Sequence, residues 1–233
     1  MTNSNATSLP HGRWDIYGPV HKGLRLAATD LMIRLGRADP LDEEAMKAVL
    51  GDLAAHLALA ATHLAHEEAH IHPALAERNA AAATRLSSQH ADHRTAFAEL
   101  DRLIGAAALA APHAAAARMR ELYLAFSAFV ADDLVHMHEE ETVTWPLLCA
   151  LFSDEQLAEI EMSIIATLSP EENVGFMRLM IPAMNRQERA ALLGGVKASA
   201  PPEAFAAVLE AAARPTLSDG EFAELGRDLA LAA

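Results

Sequence analysis

Leu50, Leu53, Leu57 and Leu64 return at steps of three, four and seven residues, which lays apolar side chains along one face of an α-helix. The stripe begins after Asp39-Pro40, a turn signal, and continues to about Arg78, so one long helix is predicted there. Ahead of it, Tyr17-Gly-Pro-Val-His21-Lys-Gly-Leu-Arg-Leu reads as a helix opening. Pro19 suits the first turn, where a backbone N–H has no helical partner anyway, and this helix runs to about Arg37. A third helix is predicted over residues 84–108, with Leu86, Phe97, Leu100 and Leu103 facing a core. Pro112 opens a fourth, carried through Met119, Leu122, Phe126, Phe129 and Leu134 to about Phe152. Four long helices joined by short links predict an all-α, up-down-up-down four-helix bundle.

Shorter elements follow. Ser153-x-x-Gln156, Ser169-Pro-Glu-Glu172, Asn185-x-x-Glu188 and Ser218-x-x-Glu221 each match a capping box, in which a side chain at either end of the first turn satisfies a free backbone N–H. Pro201-Pro202 opens another helix. Met177, Met180, Ile181 and Met184 fall on one face, expected to pack against a core. Residues 1–13 read as disordered. The chain therefore divides into a bundle over residues 14–152 and a C-terminal extension of short helices over residues 153–233.

Composition sharpens this picture. Apolar residues make up 52% of 233, rich in Ala and Leu, with only two Trp and two Tyr, which favours closely packed helices over strands. The formal charge of −14 argues against a nucleic-acid partner, since such proteins carry a basic stripe. The single Cys149 excludes an internal disulfide framework and a Cys-based zinc finger; its apolar surroundings predict a buried thiol. Met1 to Pro10 lacks a signal peptide's apolar core. His, Asp, Glu or Arg interrupt the other apolar runs before they reach membrane-spanning length. A cytoplasmic protein with no membrane partner is expected.

The twelve His all lie between His11 and His138, and none follows. His63-Leu-Ala-His-Glu67-Glu-Ala-His-Ile-His-Pro73 recurs in register as His136-Met-His-Glu-Glu140-Glu-Thr-Val-Thr-Trp-Pro146. A His followed four residues on by Glu puts imidazole and carboxylate on one helix face, a donor pair that suits iron, manganese or zinc better than calcium or magnesium. Every long helix carries a candidate: His21 on the first, His63 and Glu67 on the second, His90 and His93 on the third, His136 and Glu140 on the fourth. A lone His on an apolar face is usually a packed or solvated residue, but four helices so furnished predict a metal centre. His66, His70, His72 and His138 point elsewhere on their helices. His56 lies on the ligand face one or two turns away, placed to support a ligand or water. His11 and His113 read as solvated.

Two other patterns overlap these residues. His66-Glu67-Glu68-Ala69-His70 matches the His-Glu-x-x-His signature of zinc metallopeptidases, but leaves the His136/Glu140 repeat without a role. Glu67-x-x-His70 matches half of a ferritin-like di-iron pattern, whose partner motif is missing from the fourth helix.

Residues 14–152, about 60% of the chain, resemble the hemerythrin-like, or HHE cation-binding, domain. The resemblance rests on His21-Lys-Gly-Leu-Arg, on Asp92-His93-Arg, and on the two His-x3-Glu segments with Pro73 and Pro146. It implies a four-helix bundle around two non-haem iron ions, with zinc or manganese as substitutes. His21, His63, His93 and His136 would bind iron, with Glu67 and Glu140 bridging, and the ligand would be O2, NO or peroxide. The helices after residue 152 resemble extensions of some family members. Oxygen-carrying members place two His four apart on the third helix, whereas His90 and His93 are three apart, which turns the second ring by about −60° instead of about +40°. Both rings remain candidate ligands, with His93 the safer choice and His90 kept beside it. An iron lacking one imidazole would have an open position, favouring sensing or reactivity over carriage. A simple metal store would need no such position, and whether the protein is an enzyme is left open.

Overall fold

The computed structural model describes residues 12–230, and all regular structure among them is helical. The expectations for His11 and for most of residues 1–13 lie outside the described residues. The helices are α1 (Gly18–Arg37), α2 (Glu43–His66), α3 (His72–Arg78), α4 (Ala80–Ala108), α5 (Pro112–Glu139) and α6 (Trp145–Leu151). They continue as α7 (Asp154–Ile165), α8 (Pro170–Ala183), α9 (Arg186–Ser199), α10 (Pro202–Val208), α11 (Arg214–Thr216) and α12 (Asp219–Asp228).

Three π turns interrupt this series, at Glu67–Ile71, Glu140–Thr144 and Leu209–Ala213. Each ends two residues before a proline: Pro73, Pro146 and Pro215. Proline inside a helix has no N–H to donate and its ring crowds the carbonyl one turn back. The helix answers by widening for one turn, so that His72 N–H reaches Glu67 O and Trp145 N–H reaches Glu140 O. The third turn carries no His, so proline is the common cause. The sequence predicts two unbroken helices, one from Asp39-Pro40 to about Arg78 and one from Pro112 to about Phe152; the structure starts the first at Glu43 and adds a π turn to each.

The long helices contact one another in the order α1, α2, α4, α5 and back to α1. Their shared core contains Leu24, Leu53, Leu57, Leu100, Leu122 and Phe126. A second cluster, with Tyr17, Ile71, Leu75, Leu86, Trp145 and Leu148, fills the opposite end. The buried His and Glu side chains lie between the two. Cys149 is buried in the second cluster, as expected.

All four capping boxes form, at Ser153, Ser169, Asn185 and Ser218. The C-terminal helices have a core of their own around Ile181, Leu193, Phe205 and Ala212. They also dock on the first part, because Phe176 and Leu179 of α8 belong to the core of the long helices. Gly23 makes this possible: a Cβ there would stand 2.7 Å from the Leu179 carbonyl oxygen, so no other residue lets α8 come so close to α1. Ile181 and Met184 are buried, whereas Met177 and Met180 are only partly so.

By length and composition the helical run Glu43–Arg78 is apolar enough to cross a membrane, and 44% of its most apolar stretch is buried inside the protein. This corrects the sequence reading, which treated His and Asp as breaking the run. The buried side chains of that run include His63 and Glu67.

Candidate metal centre

Six of the seven predicted ligands converge. His63 and Glu67, one turn apart at the end of α2, bring Nε2 and Oε1 to 3.2 Å. His136 and Glu140 repeat the pairing at the end of α5, with Nε2 and Oε1 at 3.4 Å. His21 of α1 reaches in from one side, 3.4 Å from Glu140 Oε2 and 3.9 Å from Glu67 Oε1. His90 of α4 reaches in from the other, 3.3 Å from Glu67 Oε2 and 3.8 Å from Glu140 Oε1. Two groups have donor atoms within 4.8 Å of one another: His21, His63 and Glu67, and Glu67, His90, His136 and Glu140. Glu67 belongs to both.

These side chains fit a cation. Both oxygens of Glu67 and of Glu140, and Nε2 of His21, His90 and His136, are buried without a hydrogen-bond partner among the described residues. An unpaired buried polar atom costs about 1–3 kcal/mol, and more when charged. Two carboxylates at 0–1% exposure demand positive charge between them. Imidazole and carboxylate donors together suit a transition metal.

The electrostatics of the metal-free site point the same way. Burial lowers the pKa of His21, but Glu141, Glu67 and Glu140 outweigh it and push the ring up to about 9. His90 behaves alike, lowered by burial and raised by Glu140 and Glu67 to about 9. Glu140 is raised by burial and by Glu67, while burial of Glu67 is overcome by His63, His21 and His90, which hold it low. Two carboxylates in one cavity thus split, and the protons on His21 and His90 supply charge that a metal would otherwise bring.

A second layer holds the imidazoles. His21 Nδ1 donates to Glu141 Oε1 at 3.1 Å, and Arg25 grips the same carboxylate at 2.5 and 3.1 Å. His90 Nδ1 lies 3.3 Å from Glu68 Oε1, in contact but without hydrogen-bond alignment, and Arg94 pairs with Glu68. The two halves correspond: His21-x3-Arg25 on α1 matches His90-x3-Arg94 on α4, and Glu67-Glu68 matches Glu140-Glu141. Sequence reasoning missed Arg25, Arg94, Glu68 and Glu141 as participants. The signal was available, since His-x3-Arg repeats just as His-x3-Glu does, and it singles out His90 on the third long helix.

His93 stands beside the cluster, its ring 4.7 Å from that of His136. Its Nδ1 donates to Gln89 O at 3.0 Å and its Nε2 lies 3.3 Å from Asp133 Oδ1. On this helix the three-residue spacing turns His90 toward the carboxylates and His93 toward the buried Asp133. His56 is buried, packed edge-on against Phe126, and lowered to about 4 by burial. His72, read as pointing elsewhere, lies with its ring 4.6 Å from that of His90 and tilted to it by 39°. Tyr17, one turn before His21, is fully buried against its ring, and the Oη atom has no hydrogen-bond partner. No pattern in the sequence marked Tyr17.

The peptidase pattern does not assemble. His66 Nδ1 faces Thr167 and His70 Nδ1 faces Ser163, and neither belongs to a convergent group with Glu67. No family model, curated protein or solved structure matches this chain.

Proposed function

We propose that this chain is a non-haem di-iron protein of the hemerythrin-like type that binds O2, NO or peroxide. The observation that carries the reading is Glu67, shared by two groups of buried donors, as a carboxylate bridging two ions must be. The cyclic order of contacts among α1, α2, α4 and α5 supports an up-down-up-down bundle. In this reading His21, His63 and Glu67 would hold one iron and Glu67, His90, His136 and Glu140 the other. His93 stands outside the set.

When bound, the iron pair supplies redox chemistry and Lewis acidity toward a small oxygen or nitrogen ligand. The chain's own residues do the rest. Glu141 fixes the proton of His21 on Nδ1 and leaves Nε2 free as a donor atom. Tyr17 keeps its hydroxyl proton, because burial, Glu140 and Glu67 all push its pKa upward, so it offers a hydrogen-bond donor in a dry site. Apolar cores flank the site on both sides. The acidic surface supports a small-molecule ligand over nucleic acid.

Elemental analysis after anaerobic reconstitution tests the reading. About two irons per chain are expected from this donor number. One zinc and no iron would sink it.

A further inference from the structure

A cavity of about 580 Å³ lies between the long helices and the C-terminal helices, within the size range of small-molecule sites. Leu168, Met177, Met180, Val196 and Val208 form its walls, and His63, His66 and Glu67 also line it. The last three include two members of the metal cluster, so the cavity adjoins that centre. Ala204 and Ala207 also line it and are exposed, which puts them at its rim.

His66 specifies what the polar part of an occupant must be. Thr167 spends its hydroxyl proton on the Ile164 carbonyl at 2.7 Å. Its oxygen, 3.4 Å from His66 Nδ1, can therefore only accept, which puts the imidazole proton on Nδ1. A neutral imidazole carries a single ring proton. Nε2 is then a lone-pair acceptor, buried and without a partner, next in sequence to the acceptor-only carboxylate of Glu67. An anion there would meet two acceptors; an O–H group would satisfy one.

We propose that this cavity binds a single-chain amphiphile with a neutral O–H head, the chemistry shared by a long-chain alcohol and an alkyl hydroperoxide. The chain lies against α8, α9 and α10, and the head donates to His66 Nε2 beside the metal cluster. The C-terminal helices are then the wall of a substrate chamber. This deepens the metal-site reading by naming the ligand class, and rests on it only for what the head faces.

The test is calorimetric titration of the protein as purified, its metal content measured on the same sample, with decanol and with decanoate at pH 8. Decanol is expected to bind once per chain, at least tenfold more tightly than decanoate. Ala207→Trp, a substitution at the exposed rim, should remove binding with metal content unchanged. His66→Phe should abolish the preference for decanol while leaving the cavity able to take a chain. Equal or tighter binding of decanoate, or decanol binding untouched by Ala207→Trp, overturns the proposal. A sample that takes up no iron on anaerobic reconstitution yet still binds decanol, and loses it in Ala207→Trp, keeps the chamber and removes the di-iron reading, so the two failures are told apart.

Discussion

His21 Nδ1 lies 3.1 Å from Glu141 Oε1, 120 positions further along the chain in the π turn that follows α5. This contact ties the first long helix to the second His-x3-Glu segment and settles which nitrogen of His21 faces the buried carboxylates. Glu141→Gln should weaken metal binding about 10- to 100-fold, the usual effect of losing a partner behind a metal-bound imidazole. Competition with a chelator of known affinity measures it. Glu68→Gln should cost less, because the His90–Glu68 contact lacks hydrogen-bond alignment.

Glu67→Ala and His90→Ala should both empty the site, since they remove a shared carboxylate and a convergent imidazole. His93→Ala should retain most of the metal. Its loss leaves Asp133 buried without its partner, so thermal stability should drop by an amount corresponding to about 1–3 kcal/mol. Metal analysis beside thermal melts separates the two effects; an empty site in His93→Ala would restore His93 as a ligand.

Pro73→Ala and Pro146→Ala test the origin of the π turns. Restoring an N–H lets each segment relax toward an α-helix, which shifts the register of Glu67 or Glu140 by a fraction of a turn. Metal content should fall in both variants. Pro215→Ala, where the same turn carries no ligand, should leave it unchanged. Equal metal content in all three variants would separate the π turns from the site.

The metal-free protein should be most stable near pH 6.5. His21 and His90 are held at about 9 in the fold, against about 6.5 in an unfolded chain. Their contribution is complete below the unfolded value and is lost as pH rises through 9. His56 and His63 are lowered to about 4 and His136 to about 3, chiefly by burial. The unfolded chain therefore binds more protons below about 6.5, and stability also falls as pH drops toward 4. Glu140, raised by burial and Glu67, opposes part of that acid slope. Melting temperatures at constant ionic strength from pH 4 to 9 check the shape. Metal loading should flatten the alkaline limb, because the metal displaces the protons of His21 and His90.

The diferrous protein, mixed with O2 in a stopped-flow spectrometer, should oxidise within the experiment and form no lasting oxygen adduct. The proposed assignment would give each iron two imidazoles, which would leave room for a small ligand, and the cavity reaches His63 and Glu67. A long-lived adduct that reverts when O2 is removed would make the protein an oxygen carrier.

The long helices, their proline openings and the four capping boxes are legible in the sequence because each depends on side chains a few residues apart. The His-x3-Glu pairs are legible for the same reason: both members stand on one helix face. Which His of the third long helix joins them is decided between helices, by where α4 faces Glu67 and Glu140 and by Asp133, which takes His93. Local spacing says how far two rings are rotated from each other, but not which one points inward. Tyr17 was invisible because burial of its hydroxyl depends on packing against His21 and the second core. The cavity beside Glu67 is walled in part by α8, which Gly23 lets approach α1 through a contact between residues 156 positions apart. Local chemistry determined the helices and the ligand pairs; packing between distant segments decided which donors converge and what lies beside them.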